Sequence, residues 1–98
     1  MDMELHLITR AGDQRGWRSV AYSLGAGRRP VVVLAGDAVA ESEESVRGLL
    51  GHPVSEDAMP ILAVCQDAAA RLATERWALV DYEALLDLLL TAEVVVAW

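Results

Sequence analysis

Pro60-Ile-Leu-Ala-Val-Cys-Gln-Asp-Ala-Ala-Ala-Arg71 is the stretch whose reading decides the fold. Its first half is an apolar run without polar alternation, which reads as a strand buried on both faces; its second half is alanine-rich and reads as a helix. Cys65 falls at the junction, at the carboxyl end of the strand and the start of the helix. In open α/β sheets that edge is where ligands and reacting groups collect. Backbone N–H groups at a helix start also favour a thiolate over a thiol, which makes the sulfur a nucleophile.

Working outward, the same unit of short apolar run, turn and helical pattern recurs. Leu5 to Ile8 is a first strand, broken at Gly12-Asp13. Asp13 is placed to cap a helix whose Trp17, Val20, Ala21 and Leu24 fall at i, i+3, i+4 and i+7. Gly25 is expected to close that helix in a left-handed conformation. Pro30 to Ala35 is a β-branched strand with proline only at its first position, ended by Gly36-Asp37. A helix is predicted from Ser42, with Glu43 and Glu44 in its first turn and Val46, Leu49 and Leu50 inward, stopped by Gly51 and Pro53. His52 to Ala58 reads as a loop. After the strand Ile61–Val64 and a helix through Arg71 and Leu72 come a strand at Trp77–Val80, a helix over Tyr82–Leu90 capped by Asp81, and a strand at Glu93–Trp98. Strands alternating with helices through short connections predict one α/β/α domain, three-layered, on a mainly parallel five-stranded sheet.

Ninety-eight residues suffice for one domain with a core but are few for three layers, and a content of 54% hydrophobic residues points to association. The helix over Tyr82–Leu90 is apolar on more than one face, and part of it is expected to meet another subunit. A net charge of −7, with Arg28-Arg29 the only basic pair, argues against a direct grip on nucleic acid. No run is long and apolar enough for a membrane helix, and the start has no signal-peptide pattern. With a single cysteine no internal disulfide can form, so a cytoplasmic location is the expectation.

The order and spacing of these pieces resemble the DsrE/DsrF/DsrH family of small sulfur-relay proteins over the whole chain, 1–98, and most closely the DsrH/TusB branch. Leu79-Val-Asp-Tyr-Glu-Ala-Leu-Leu-Asp-Leu88 with the closing Ala97-Trp98 is similar to that branch's carboxyl terminus. Leu5-His6, Arg10 and Leu34-Ala-Gly-Asp37 add to the likeness. The chain departs from it in two places. No cysteine stands near Val20 and Ala21, where some DsrH proteins have one, whereas Val64-Cys65 with Ala68-Ala-Ala-Arg71 resembles the sulfur-accepting stretch of the DsrE/TusD branch. The resemblance implies cytoplasmic transfer of sulfane sulfur as a cysteine persulfide, for wobble-uridine 2-thiolation of tRNA or for sulfur oxidation. It implies no cofactor and no metal. The partners it implies are DsrE/DsrF- or TusC/TusD-like subunits and small sulfur carriers, in a homo- or hetero-oligomer without membrane contact. The alternative it leaves is a non-catalytic subunit of such a hetero-oligomer.

Cys65 is the candidate catalytic residue, against the plainer reading of a small core residue ending a strand. Asp67 nearby opposes a thiolate, and Arg71 is a candidate to offset it. Asp37, on the same edge, is a candidate substrate-binding group; the competing reading is a turn or capping residue. His6, mid-strand, reads as a satisfied core histidine, and His52 as a surface group. Two separated histidines and one cysteine do not form a metal site. Gly25-Ala-Gly27 precedes a strand and not a helix, so it does not cradle phosphate. A receiver-type phosphate or ligand module would need acidic residues after the first strand, where Thr9-Arg10 stands. The three tryptophans read as packing residues, with Trp98 also a candidate partner contact.

Overall fold

A computed structural model of the chain describes residues 3–51, 59–72 and 77–98. Among the described residues there are five strands: β1 (Met3–Ile8), β2 (Arg29–Leu34), β3 (Ile61–Val64), β4 (Ala78–Val80) and β5 (Val94–Ala97). Between them lie α1 (Gln14–Gly25), a 3-10 helix (Gly36–Ala40), α2 (Glu43–Leu50), α3 (Cys65–Ala70) and α4 (Tyr82–Thr91). All strand pairs are parallel, in the order β4-β3-β2-β1-β5.

That order fixes the layers. From β1 to β4 the chain steps always in one direction across the sheet, so right-handed crossovers put the connecting helices on one face. The step from β4 to β5 runs back across the whole sheet, and the same handedness sends α4 to the opposite face. Side chains alternate accordingly. Ile8, Val32, Leu34, Ile61 and Ala63 meet Trp17, Val20, Val46 and Ala68 in the first-face core. Leu5, Val33, Val64 and Val80 form the second-face core beneath Leu85, Leu88 and Leu89.

Helix boundaries follow local chemistry. The Asp13, Ser42 and Asp81 side chains accept from the N–H groups of Gly16, Ser45 and Ala84, so the caps read at Asp13 and Asp81 are made, and Ser42, read as the start of a helix, caps it. The end of α1 differs from expectation. Gly25 is its last helical residue, and the left-handed position is Gly27 at φ +76°. Gly27 N–H bonds to Leu24 O and Arg28 N–H to Ser23 O, so the turn closes two residues later than predicted. Arg28 is thereby carried toward β1. α3 stops at Ala70 and not at Leu72, and Leu72 itself has φ +54°. The expected loop at His52–Ala58, including His52 and Pro53, lies outside the described residues.

Two of the tryptophans close the first face. Trp17 is fully buried, and the ring of Trp98 lies against Gly16 and Ile8, where even a Cβ on Gly16 would stand 3.2 Å from Trp98 Cγ. Trp98 is therefore partly buried by packing within the chain. Among the described residues no helix is long and apolar enough to cross a membrane.

Candidate functional site at the carboxyl edge of the sheet

In a parallel sheet every strand delivers its following loop to one edge, so the residues after β1, β2, β3 and β4 gather there. The connection from β3 enters α3 on the first face, since Ala68 sits in that core, whereas the connection from β4 enters α4 on the second. Adjacent strands whose loops diverge to opposite faces leave a crevice between them. Val64 pairs with Val80, so the next residues, Cys65 and Asp81, flank this crevice at the same level.

Cys65 is the first residue of α3 and is partly exposed. Its Sγ–H donates to Gln66 Oε1 at 3.0 Å. Val64, the residue before the helix, makes no side-chain cap, and α3 is only six residues long. Asp67 stands in the first turn of that helix, and its Oδ2 accepts the Gly36 N–H at 2.9 Å. Arg71, just past the helix end, reaches across to Asp37 Oδ1 with Nη2 at 2.9 Å and Nε at 3.1 Å. The edge is thus tied by two bridges between the β2 loop and α3: one backbone-to-carboxylate, one guanidinium-to-carboxylate.

Asp37 and Cys65, both predicted from sequence, do come to the same edge. Asp37 neither caps a helix nor stands free: its carboxylate is the acceptor of a largely exposed ion pair with Arg71. Arg71 is therefore engaged by Asp37 and not directed at the thiol. No family model matches this chain, and no curated protein matches it.

A second polar cluster, at the opposite part of β1, was not read from the sequence. Glu4 and His6 are two apart on a strand and so share the first face, both buried. His6 Nε2–H donates to Glu4 Oε1 at 2.6 Å, the same oxygen accepts the hydroxyl of buried Ser23, and Arg28 Nη1 lies 3.5 Å from Glu4 Oε2. Trp98 Nε1–H lies 3.5 Å from His6 Nδ1, which fits an imidazole protonated on Nε2. Burial pushes the Glu4 carboxyl up, but the hydrogen bonds from Ser23 and His6 and the charge of Arg28 outweigh it and hold it below 4.5. The serine faces the carboxylate and not the imidazole, so the nucleophile–base contact of a serine hydrolase is missing. His6 is the satisfied core histidine the sequence suggests. The available signal for Glu4 was two ionisable residues at i and i+2 in an otherwise apolar strand.

Glu41 was also missed. It is buried, accepts from Gly12 N–H and from Ser45 Oγ at 2.5 Å, and its backbone carbonyl accepts Trp77 Nε1–H at 2.9 Å. It therefore fastens the β1 loop, α2 and the approach to β4. Among the described residues no group of three or more His, Cys, Asp or Glu side chains is placed to hold a metal ion.

Proposed function

We propose that this protein is a sulfur-relay protein of the DsrH/TusB kind, with Cys65 as its persulfide site. The observation that supports this most is a partly exposed thiol at the carboxyl end of β3, on the only cysteine of the chain. The Cys65 thiolate attacks the outer sulfur of a donor persulfide, R–S–SH. A new S–S bond forms on Cys65 as the donor S–S bond breaks, and the electron pair leaves with the donor thiolate. The exchange needs no external oxidant or reductant. Transfer onward repeats the step with an acceptor thiol attacking the outer sulfur of Cys65–S–SH. A single cysteine suits a carrier, because no neighbouring thiol of the same chain competes by closing a disulfide.

The reading extends to a cytoplasmic setting, with DsrE/DsrF- or TusC/TusD-like subunits and small sulfur carriers as partners, in tRNA thiolation or sulfur oxidation. The acidity of the chain favours sulfur-carrying proteins over RNA as direct contacts. A second reading, a non-catalytic subunit of a hetero-oligomer, is favoured by one observation: Arg71, the cation nearest in sequence to Cys65, pairs with Asp37 instead.

Intact mass measured after incubation with a persulfide donor separates the two. The carrier gains one sulfur, loses it on reduction, and does not gain it as Cys65→Ala with an unchanged circular dichroism spectrum. Loading that survives Cys65→Ala sinks the carrier reading. No loading, with slow alkylation of Cys65, leaves the structural subunit.

A further inference from the structure

The first face of the sheet carries α1, α2, α3 and the 3-10 helix, while among the described residues the second carries α4. Five strands at about 4.8 Å spacing span about 20 Å, whereas one helix with side chains is about 10 Å across. Among the described residues, roughly one helix's width of that face is therefore left beside α4. The exposures agree. α4 has no buried residue although five of its ten are leucine, and Leu86 and Leu90 are 54% and 77% exposed. Tyr82, Leu86 and Leu90 repeat at i, i+4 and i+8, which makes one continuous outer ridge. Val95, on the second face of β5 by alternation with Val94 and Val96, is 44% exposed.

Charge identifies what covers this surface. The stretch 77–98 holds Asp81, Glu83, Asp87 and Glu93 and not one lysine or arginine. Glu83 and Asp87 are exposed beside the leucine ridge, and by strand alternation Arg29, at the amino rim of β2, is the one cation that the described strands place on this face. A contact between copies through this surface would bring two acidic faces together, and like charges brought together oppose association. We propose that α4 and the strip of sheet beside it receive a partner protein's amphipathic helix, whose apolar stripe is bordered by lysine or arginine. Helices in one layer pack side by side at 8–10 Å, which is the width available. This docking surface involves no atom of Cys65 and stands independently of the sulfur chemistry.

The test uses two synthetic helical peptides with leucines at i, i+3, i+4 and i+7, one flanked by lysines and one with glutamate at each lysine position. The full chain is titrated with each by calorimetry, and backbone amide shifts map the contact. The lysine peptide is expected to bind at least about tenfold more tightly than the glutamate peptide, weakening with salt and shifting α4 and β5 amides. Leu86→Gln with Leu90→Gln, both exposed and so expected to fold, should weaken binding about tenfold or more. Glu83→Lys with Asp87→Lys should reverse the peptide preference. Equal binding of the two peptides, no binding of either, or shifts on α1 in place of α4 overturns the proposal. So does sedimentation equilibrium showing self-association that the leucine variants abolish, because the occupant is then a second copy.

Discussion

Replacing Glu4 by alanine tests how the buried polar cluster on β1 holds the fold. Glu4 Oε1 is the acceptor for both His6 Nε2–H and the Ser23 hydroxyl, and both donors are buried. Removing the carboxylate leaves two buried donors without their partner, at about 1–3 kcal/mol each. The Arg28 contact, long and reached by a largely exposed guanidinium, adds well under 1 kcal/mol. Glu4→Ala is therefore expected to destabilise by about 3–5 kcal/mol, lowering the melting temperature by at least about 12 °C in a domain of this size. Glu4→Gln keeps one acceptor oxygen and loses the charge, so about 1–2 kcal/mol is expected. The sign of the pH dependence follows from the direction of the Glu4 shift. A carboxyl held below 4.5 contributes stability that is fully present above that value and is lost as pH falls through the folded-state value. Urea melts of wild type and Glu4→Gln, from about pH 7 to about pH 3, should show the gap narrowing only below 4.5. A Glu4→Ala loss under about 1 kcal/mol, or a gap unchanged on acidification, refutes the reasoning.

Gly36→Ala is expected to cost about 1–2 kcal/mol, because Gly36 sits at φ +55° and a Cβ there meets Thr9 O at 3.1 Å. Gly48→Ala, exposed within α2 with nothing within 4 Å of the new Cβ, should instead stabilise by about 0.5–1 kcal/mol, and chemical denaturation reads both. Asp81→Ala removes the cap on α4 and should cost about 1 kcal/mol in the same assay, with Asp81→Asn recovering most of it. Arg71→Ala breaks an ion pair whose carboxylate is three-quarters exposed, so a stability change within about 0.5 kcal/mol is expected. Alkylation of Cys65 should keep its rate in that variant, since Arg71 faces Asp37 and not the sulfur.

Much of the architecture was legible because short parallel strands announce themselves as apolar runs and their helices by caps. Ile61–Val64 with Cys65 opening the next helix lies where the sequence puts it, and so do the caps at Asp13 and Asp81 and the helix start at Ser42. Strand order was not legible. Nothing in Val94–Ala97 says that it pairs with β1 on the far edge, because β-branched runs of this kind fit any interior or edge position. At the site, the sequence brings Asp37 and Cys65 to one edge but says nothing of the cross-connections. Pairing Arg71 with Asp37, and Asp67 with Gly36, requires the β2 loop to lie against α3, which is a tertiary fact. The Glu4 cluster was hidden differently: its members come from β1, α1 and the turn after α1, and only the Gly27 turn brings Arg28 near.

The pairing of β5 with β1 joins the two ends of the described chain. Each of the first four strands finds a neighbour that immediately precedes or follows it in the chain, but Glu4 registers with Val94. Contacts at such separation close a long loop before any of them is rewarded, the kind of pairing that slows folding. Until it forms, the free edge of β1 is a template for any extended segment. At high protein concentration the segment of matching register and shape is another molecule's β5. Exchange of that strand, carrying Trp98 with it into the slot at Gly16, is the misassembly this topology invites.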